Sequence, residues 1–293
     1  MIYKKENEAI PLKNKNIPMK NRVKICTFVV SSTGNKIGEF FISWIVDYTL
    51  KLGFDELYLT HKIKDNDYLV FLIEEYGFIN VGENGIGENI FIKSLNKDEI
   101  LSKIGSSETS LVEIAKEFYP YYCDDERVNK YLVPIKPEFY EKLFLNNNQQ
   151  SKLDKFLNGF GSYPKDILAL NPIKKAYLSH SNVNLKKGDL LLFYESNKKG
   201  IADIGVVEST YSVDNIEDLL DIVRKRSVYS EDELEQFVEK KTLVILFISS
   251  KHFDYKISYE ELKELEIFSQ APMSIQKLNH GKYLELKEIF KSN

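Results

Sequence analysis

The stretch KKGDLLLFYES, residues 186–196, decides how the second half of the chain is read. Lys186, Lys187, Gly188 and Asp189 make a polar turn, and the run that follows is apolar and aromatic. A short continuous apolar run bounded by turn residues is the pattern of a buried strand. Working outward, similar short runs recur at 132–135, 175–179, 204–208 and 243–248, again separated by turns. Two acid-rich segments, 215–226 and 231–238, carry helical patterning between them. Short strands with interposed helices predict a small mixed barrel.

The first part of the chain has a different grammar. Residues 23–30, VKICTFVV, are a β-branched run, hence a buried strand. SSTGNK, 31–36, is a turn carrying Gly34. Ile37, Phe40, Phe41, Trp44, Ile45 and Tyr48 then recur at helical spacing up to Gly53. Short strands at 57–59, 78–81 and 89–92, and a helix over 66–76 stopped by Gly77, complete an α/β order. Residues 1–22 read as irregular or edge chain, and 97–127 as a charged helical connector. The expected organisation is a first domain over 1–96, a connector over 97–130 and a second domain over 131–293.

Composition narrows the function classes. In 293 residues, 40 Lys and Arg face 44 Asp and Glu, a net charge of −4. That excludes a uniformly basic nucleic-acid coat while leaving room for a local basic groove. Two cysteines build no disulfide framework, and four unclustered histidines predict no metal site. The run 243–248 falls far short of the ~20 apolar residues that cross a bilayer. With no apolar h-region near the N-terminus, a soluble, cytoplasmic, non-membrane protein is expected. Only four basic residues are arginines, Arg22, Arg127, Arg224 and Arg226. In a lysine-biased chain, a retained arginine points to a place that needs a planar guanidinium.

The strand, glycine turn and helix of KICTFVV, SSTGNKIG and EFFISWIVDYTLKLGF can hold a pyrophosphate on backbone N–H groups at a helix N-terminus. The order continues through ELYLTH (56–61), Asn66 and EEYGF (74–78). Residues 28–78 thereby resemble the central motif of GNAT-family N-acetyltransferases. The resemblance implies a partial GNAT-like mixed sheet with helices, and acetyl-CoA as cofactor. Its pyrophosphate would lie on Thr33, Gly34, Asn35, Lys36, Ile37 and Gly38, and its pantetheine arm along Val29, Val30 and Asn66. Thr33 and Lys36 depart from the family's usual Arg or Gln and second Gly. The family's thiolate-protonating tyrosine falls at Ile73, leaving Tyr76 as the nearest phenol and Glu39 as a nearby carboxylate. The acceptor side would come from a homodimer or a partner protein.

The series YLVPIKPEFYEKLF, NPIKKAYLSHSNVNLKKGDLLLFYES, IADIGVVES, RKRSVYS, TLVILF and FSQAPMSIQKL, running from 131 to 278, resembles the PUA-like superfamily in its EVE and ASCH branches. These are small β-barrels that bind RNA or modified bases. A groove for a base needs an aromatic surface, polar atoms and cations. Tyr177, Ser179, His180, Tyr194, Arg224, Arg226, Ser227, Tyr229, Gln270 and Ser274 are the residues expected to supply them. Core packing is the competing role for the tyrosines, and a solvated helix end for the arginines. The whole is an α+β and α/β mixture.

Two functions follow. One is an acetyl-CoA-dependent N-acyltransferase whose barrel presents RNA, such as tRNA, or a modified base. The other is a non-catalytic nucleic-acid-binding protein whose GNAT-like half is a scaffold or dimerisation surface, as in a defence or toxin module.

Overall fold

The computed structural model describes residues 1–28, 37–106, 108–144, 172–197, 199–223 and 226–292. The chain divides into two compact units, Met1–Tyr122 and Cys123–Asn293. The division falls inside the 97–130 segment, so 97–122 belong to the first unit and 123–130 to the second.

The first unit is built on five strands, β1 (Ile2–Glu6), β4 (Arg22–Thr27), β5 (Glu56–His61), β6 (Ile79–Glu83) and β7 (Asn89–Ser94). A two-stranded ribbon, β2 (Ile10–Pro11) with β3 (Asn16–Ile17), lies between the first two. The order is β1-β4-β5-β7-β6, with β4 and β5 parallel and the other pairs antiparallel. The parallel pair is joined through helix α1 (Ile37–Lys51), as a crossover requires. In α1, Phe40, Phe41, Ile45 and Val46 are buried. Trp44 and Tyr48 stack on each other at 5.4 Å, and Tyr3 of β1 meets both edge-on.

Helix α2 (Tyr68–Glu75) begins two residues later than the pattern suggests, because Asp67 caps it by accepting from the Leu69 N–H. Beyond β7, the expected single connector helix is two short ones, α3 (Lys97–Ser106) and α4 (Leu111–Glu117). Ser110 caps α4, and Pro120 prevents continuation. Buried Lys93 donates to the Glu117 carbonyl at 3.0 Å, where a cation suits a helix C-terminus. Burial pushes its ammonium down to about 7.

The second unit has a six-stranded sheet. Its strands are β8 (Lys130–Ile135), β9 (Lys174–Ser179), β10 (Leu190–Glu195), β11 (Gly200–Val213), β12 (Thr242–Ile257) and β13 (Gln276–Leu278). The order is β13-β8-β10-β11-β12-β9, with only β8 and β10 parallel. Four strand spacings separate β8 from β9, about 19 Å in a flat sheet. Yet Tyr177 of β9 donates to the Pro134 carbonyl of β8 at 2.5 Å. The sheet must therefore curl until its far strands meet, giving a half-barrel.

Alternation along the strands sorts the side chains. Tyr131, Val133, Tyr177, Leu191, Phe193, Ile245 and Phe247 fill the inside, together with Tyr140, Leu143 and Phe144 around helix α5 (Pro137–Leu143). Ala176, Leu178, Val244 and Leu246 point outward under α6 (Ile216–Val223) and α7 (Glu231–Phe237). Helices α8 (Tyr259–Glu264) and α9 (His280–Ser292) complete the unit. No helix among the described residues is long and apolar enough to cross a membrane.

Candidate functional site

In the first unit, Val29, Val30, Thr33, Gly34, Asn35 and Lys36 lie outside the described residues. The flanks of the turn are visible. Backbone pairing between β4 and β5 runs Val23 to Leu57, Lys24 to Tyr58 and Ile25 to Leu59, and stops there. Both strands continue: among the described residues, Thr27 pairs with Ile2 of β1 alone, while Thr60 and His61 pair with Ile90 and Asn89 of β7. The parallel pair thus parts at its carboxyl ends, the place where open α/β sheets accept ligands.

Asn66 is exposed, with φ of 53° in the left-handed region. His61 bonds Asp67 at 2.6 Å, and the same carboxylate accepts the Lys64 N–H at 3.1 Å. Burial opposes its charge, but His61 and the backbone donors hold the carboxyl below its usual range.

Other expectations change. Ile37 is buried. A Cβ on Gly38 would sit 2.5 Å from Leu72, so its bareness serves the packing of α1 on α2. Tyr76 is fully enclosed, its ring 5.9 Å from that of Tyr119, and Glu39 is buried on α1. Neither faces solvent, as a group handling a thiolate or an acceptor amine would. Tyr76 is turned inward because α2 ends there and Gly77, at φ 77°, reverses the chain beneath it.

In the second unit, the structure brings several expected nucleic-acid residues together at one end of β9. Tyr229 packs between Phe139 at 4.7 Å and Phe237 at 4.9 Å. His180 is exposed, its ring 5.5 Å from Phe237 and its Nε2 3.1 Å from the Phe237 carbonyl. Ser179 accepts the Ser181 N–H, and Ser227 accepts the Tyr229 N–H. Arg226 is ion-paired with Glu208 of β11. Arg224 lies outside the described residues.

The two tyrosines face different ways. Tyr177 lines the interior, and burial raises its phenol well above the ordinary value. Tyr194 is fully buried 5.5 Å from Phe268, so its ring offers no face to a base. Gln270 and Ser274 are exposed on a loop anchored by buried Phe268, Pro272 and Ile275.

One cluster escaped sequence reasoning. Asp203, 2% exposed, accepts the Tyr140 hydroxyl and bonds His252 Nδ1 at 2.8 Å. Lys256 pairs with buried Glu195 and lies 4.6 Å over the Tyr140 ring. Lys175 is enclosed nearby, donating to the Leu143 carbonyl, and burial pushes it down to about 8 against the pull of Asp203. Only the segment KHFDYK, 251–256, hinted at it, as a basic and aromatic run after an apolar strand.

No known family and no curated protein matches the sequence. Among solved structures, the fold is similar to ASCH from Zymomonas mobilis, with 15% identity over 54% of this chain and 94% of that one, at a TM-score of 0.40. It is also similar to the DUF55 domain of human thymocyte nuclear protein 1, with 13% identity over 56% and 99% of the two chains, at a TM-score of 0.31.

Proposed function

We propose that the protein binds single-stranded nucleic acid through its second unit. The observation that carries this reading is the rim at the end of β9. There the exposed His180 ring lies against Phe237 and Tyr229 packs on Phe237 beside it, while Arg226, three residues before Tyr229, is ion-paired with Glu208 of β11. Aromatic rings hold unpaired bases, and a planar cation suits phosphate.

Fluorescence anisotropy with a labelled twelve-nucleotide RNA tests it. Binding in the range of about 1–100 μM at low salt is expected, weakening with added salt. His180→Ala and Arg226→Ala should each weaken binding several-fold. Absence of binding at low salt would overturn the reading.

A second reading concerns the first unit, favoured by the parting of β4 and β5 beyond Ile25 and Leu59. In it, the opening takes the pantetheine arm of an acyl-CoA, as the GNAT resemblance implies. Calorimetric titration of acetyl-CoA and free CoA should then give micromolar binding that Gly34→Asp abolishes. No heat up to millimolar cofactor would dismiss it.

A further inference from the structure

We infer that Glu208 sets the affinity of the rim for phosphate, by holding Arg226 in a closed ion pair that a nucleic-acid phosphate has to open. The inference rests on the proposed binding of single-stranded nucleic acid and adds which residue governs its strength.

The backbone aims the carboxylate. Pairing of β11 with β12 passes from Val207–Phe247 to Ser209–Leu246, so Glu208 and Ser209 together stand against Leu246. Two residues against one make a β-bulge, which re-aims a side chain out of the regular alternation. Val207 stays in the interior cluster. Glu208 meets the chain between α6 and α7, where Arg226 Nη1 donates to its Oε2.

The chain that carries the arginine is fixed as well. Ser227 Oγ accepts the Tyr229 N–H at 3.0 Å, and Ser230 caps α7 by accepting the Glu233 N–H. Tyr229 is seated against Phe139 and Phe237. One short stretch thus places an aromatic ring at the rim and, three residues earlier, a guanidinium already facing a carboxylate of the sheet.

The side chains of Arg226 and Glu208 are 19% and 15% exposed, so solvent screens their attraction less than that of a pair on the open surface. A phosphodiester carries one negative charge, as the carboxylate does. It reaches the guanidinium by displacing Glu208, and exchanging one anion for another yields little. The closed pair has no net charge. Glu208→Gln makes it +1, Arg226→Ala makes it −1, and the double variant returns it to zero.

Fluorescence anisotropy of the full chain with the labelled twelve-nucleotide RNA tests this ranking, each variant being melted thermally alongside. Glu208→Gln keeps the shape and still accepts from the guanidinium. It should bind at least about threefold tighter than wild type at low salt. That gain should vanish near 0.5 M salt, where charges are screened within roughly 4 Å. Arg226→Ala, which leaves the carboxylate beside the phosphate, should bind several-fold more weakly than wild type. Arg226→Ala with Glu208→Gln should return to about the wild-type affinity. Glu208→Thr, neutral and suited to a strand, should repeat the gain if Glu208→Gln does not fold. A pair that only anchors the loop would make Glu208→Gln bind more weakly at every salt concentration, which would overturn the inference and leave nucleic-acid binding intact. So would a double variant as weak as Arg226→Ala, because Glu208 would then not compete with phosphate. If no form of the protein binds the RNA, the underlying reading fails and the inference with it.

Discussion

Tyr177 and Pro134, 43 positions apart in the sequence, are joined by a hydrogen bond of 2.5 Å between the fifth and the first of five consecutive strands of the second sheet. The phenol is buried and its acceptor is a carbonyl facing the interior, so the bond holds the curl of the sheet at its open side. Tyr177→Phe removes the donor and keeps the ring against Phe193. We expect a loss of about 1 kcal/mol, with the Pro134 carbonyl left without its donor. Chemical denaturation monitored by near-ultraviolet circular dichroism checks this.

Lys93 and Lys175 give the chain a distinctive pH response. Burial lowers them to about 7 and about 8, below the ordinary lysine value. Between those values and ~10.4 the unfolded chain holds protons that the folded chain has shed. Stability therefore rises with pH over that interval, by up to about 1.4 kcal/mol per pH unit for each lysine. Urea midpoints at pH 7, 8 and 9 should increase, and Lys93→Met should flatten the rise in the first unit.

Gly77 and Gly200 admit no side chain. Their φ angles are 77° and 129°, and a Cβ would lie 1.9 Å from the Glu117 carbonyl oxygen and 2.0 Å from that of Ile257. Both obstacles are backbone, so the chain itself must move. Gly77→Ala and Gly200→Ala should each cost more than about 3 kcal/mol. Yield of soluble protein and thermal melting report it.

Arg22 uses a full guanidinium fork. Its Nε is 2.7 Å from Glu56, and its two terminal nitrogens donate to the carbonyls of Glu8 at 3.0 Å and Pro18 at 2.9 Å. A lysine has the charge without the fork. Arg22→Lys should destabilise the first unit by about 2–3 kcal/mol, read from denaturation, and free the 7–20 segment to hydrogen exchange.

Much of this architecture was legible beforehand. The strand that begins at Arg22, the helix Ile37–Lys51 and the strand Leu190–Glu195 are announced by local pattern, because neighbouring side chains set backbone preference. The rarity of arginine pointed at guanidinium geometry, and Arg22 shows such a use within the fold. The termination of α4 before Pro120 and the cap at Ser110 were equally local signals, hidden by the charged run around them.

The sequence by itself determined the central strands and helices of each unit, their order, and the opposite facing of neighbours such as Phe193 and Tyr194. Alternation with period two says that neighbours point apart, not which of them points inward. Only the tertiary structure decided that Tyr177 is inside the curled sheet and Tyr194 outside against Phe268. Likewise, only the bulges of β11 and β12 decided that Tyr140, Asp203 and His252 meet. Their register over more than a hundred residues depends on how many residues each strand inserts between ladder pairs, a count that no local preference contains.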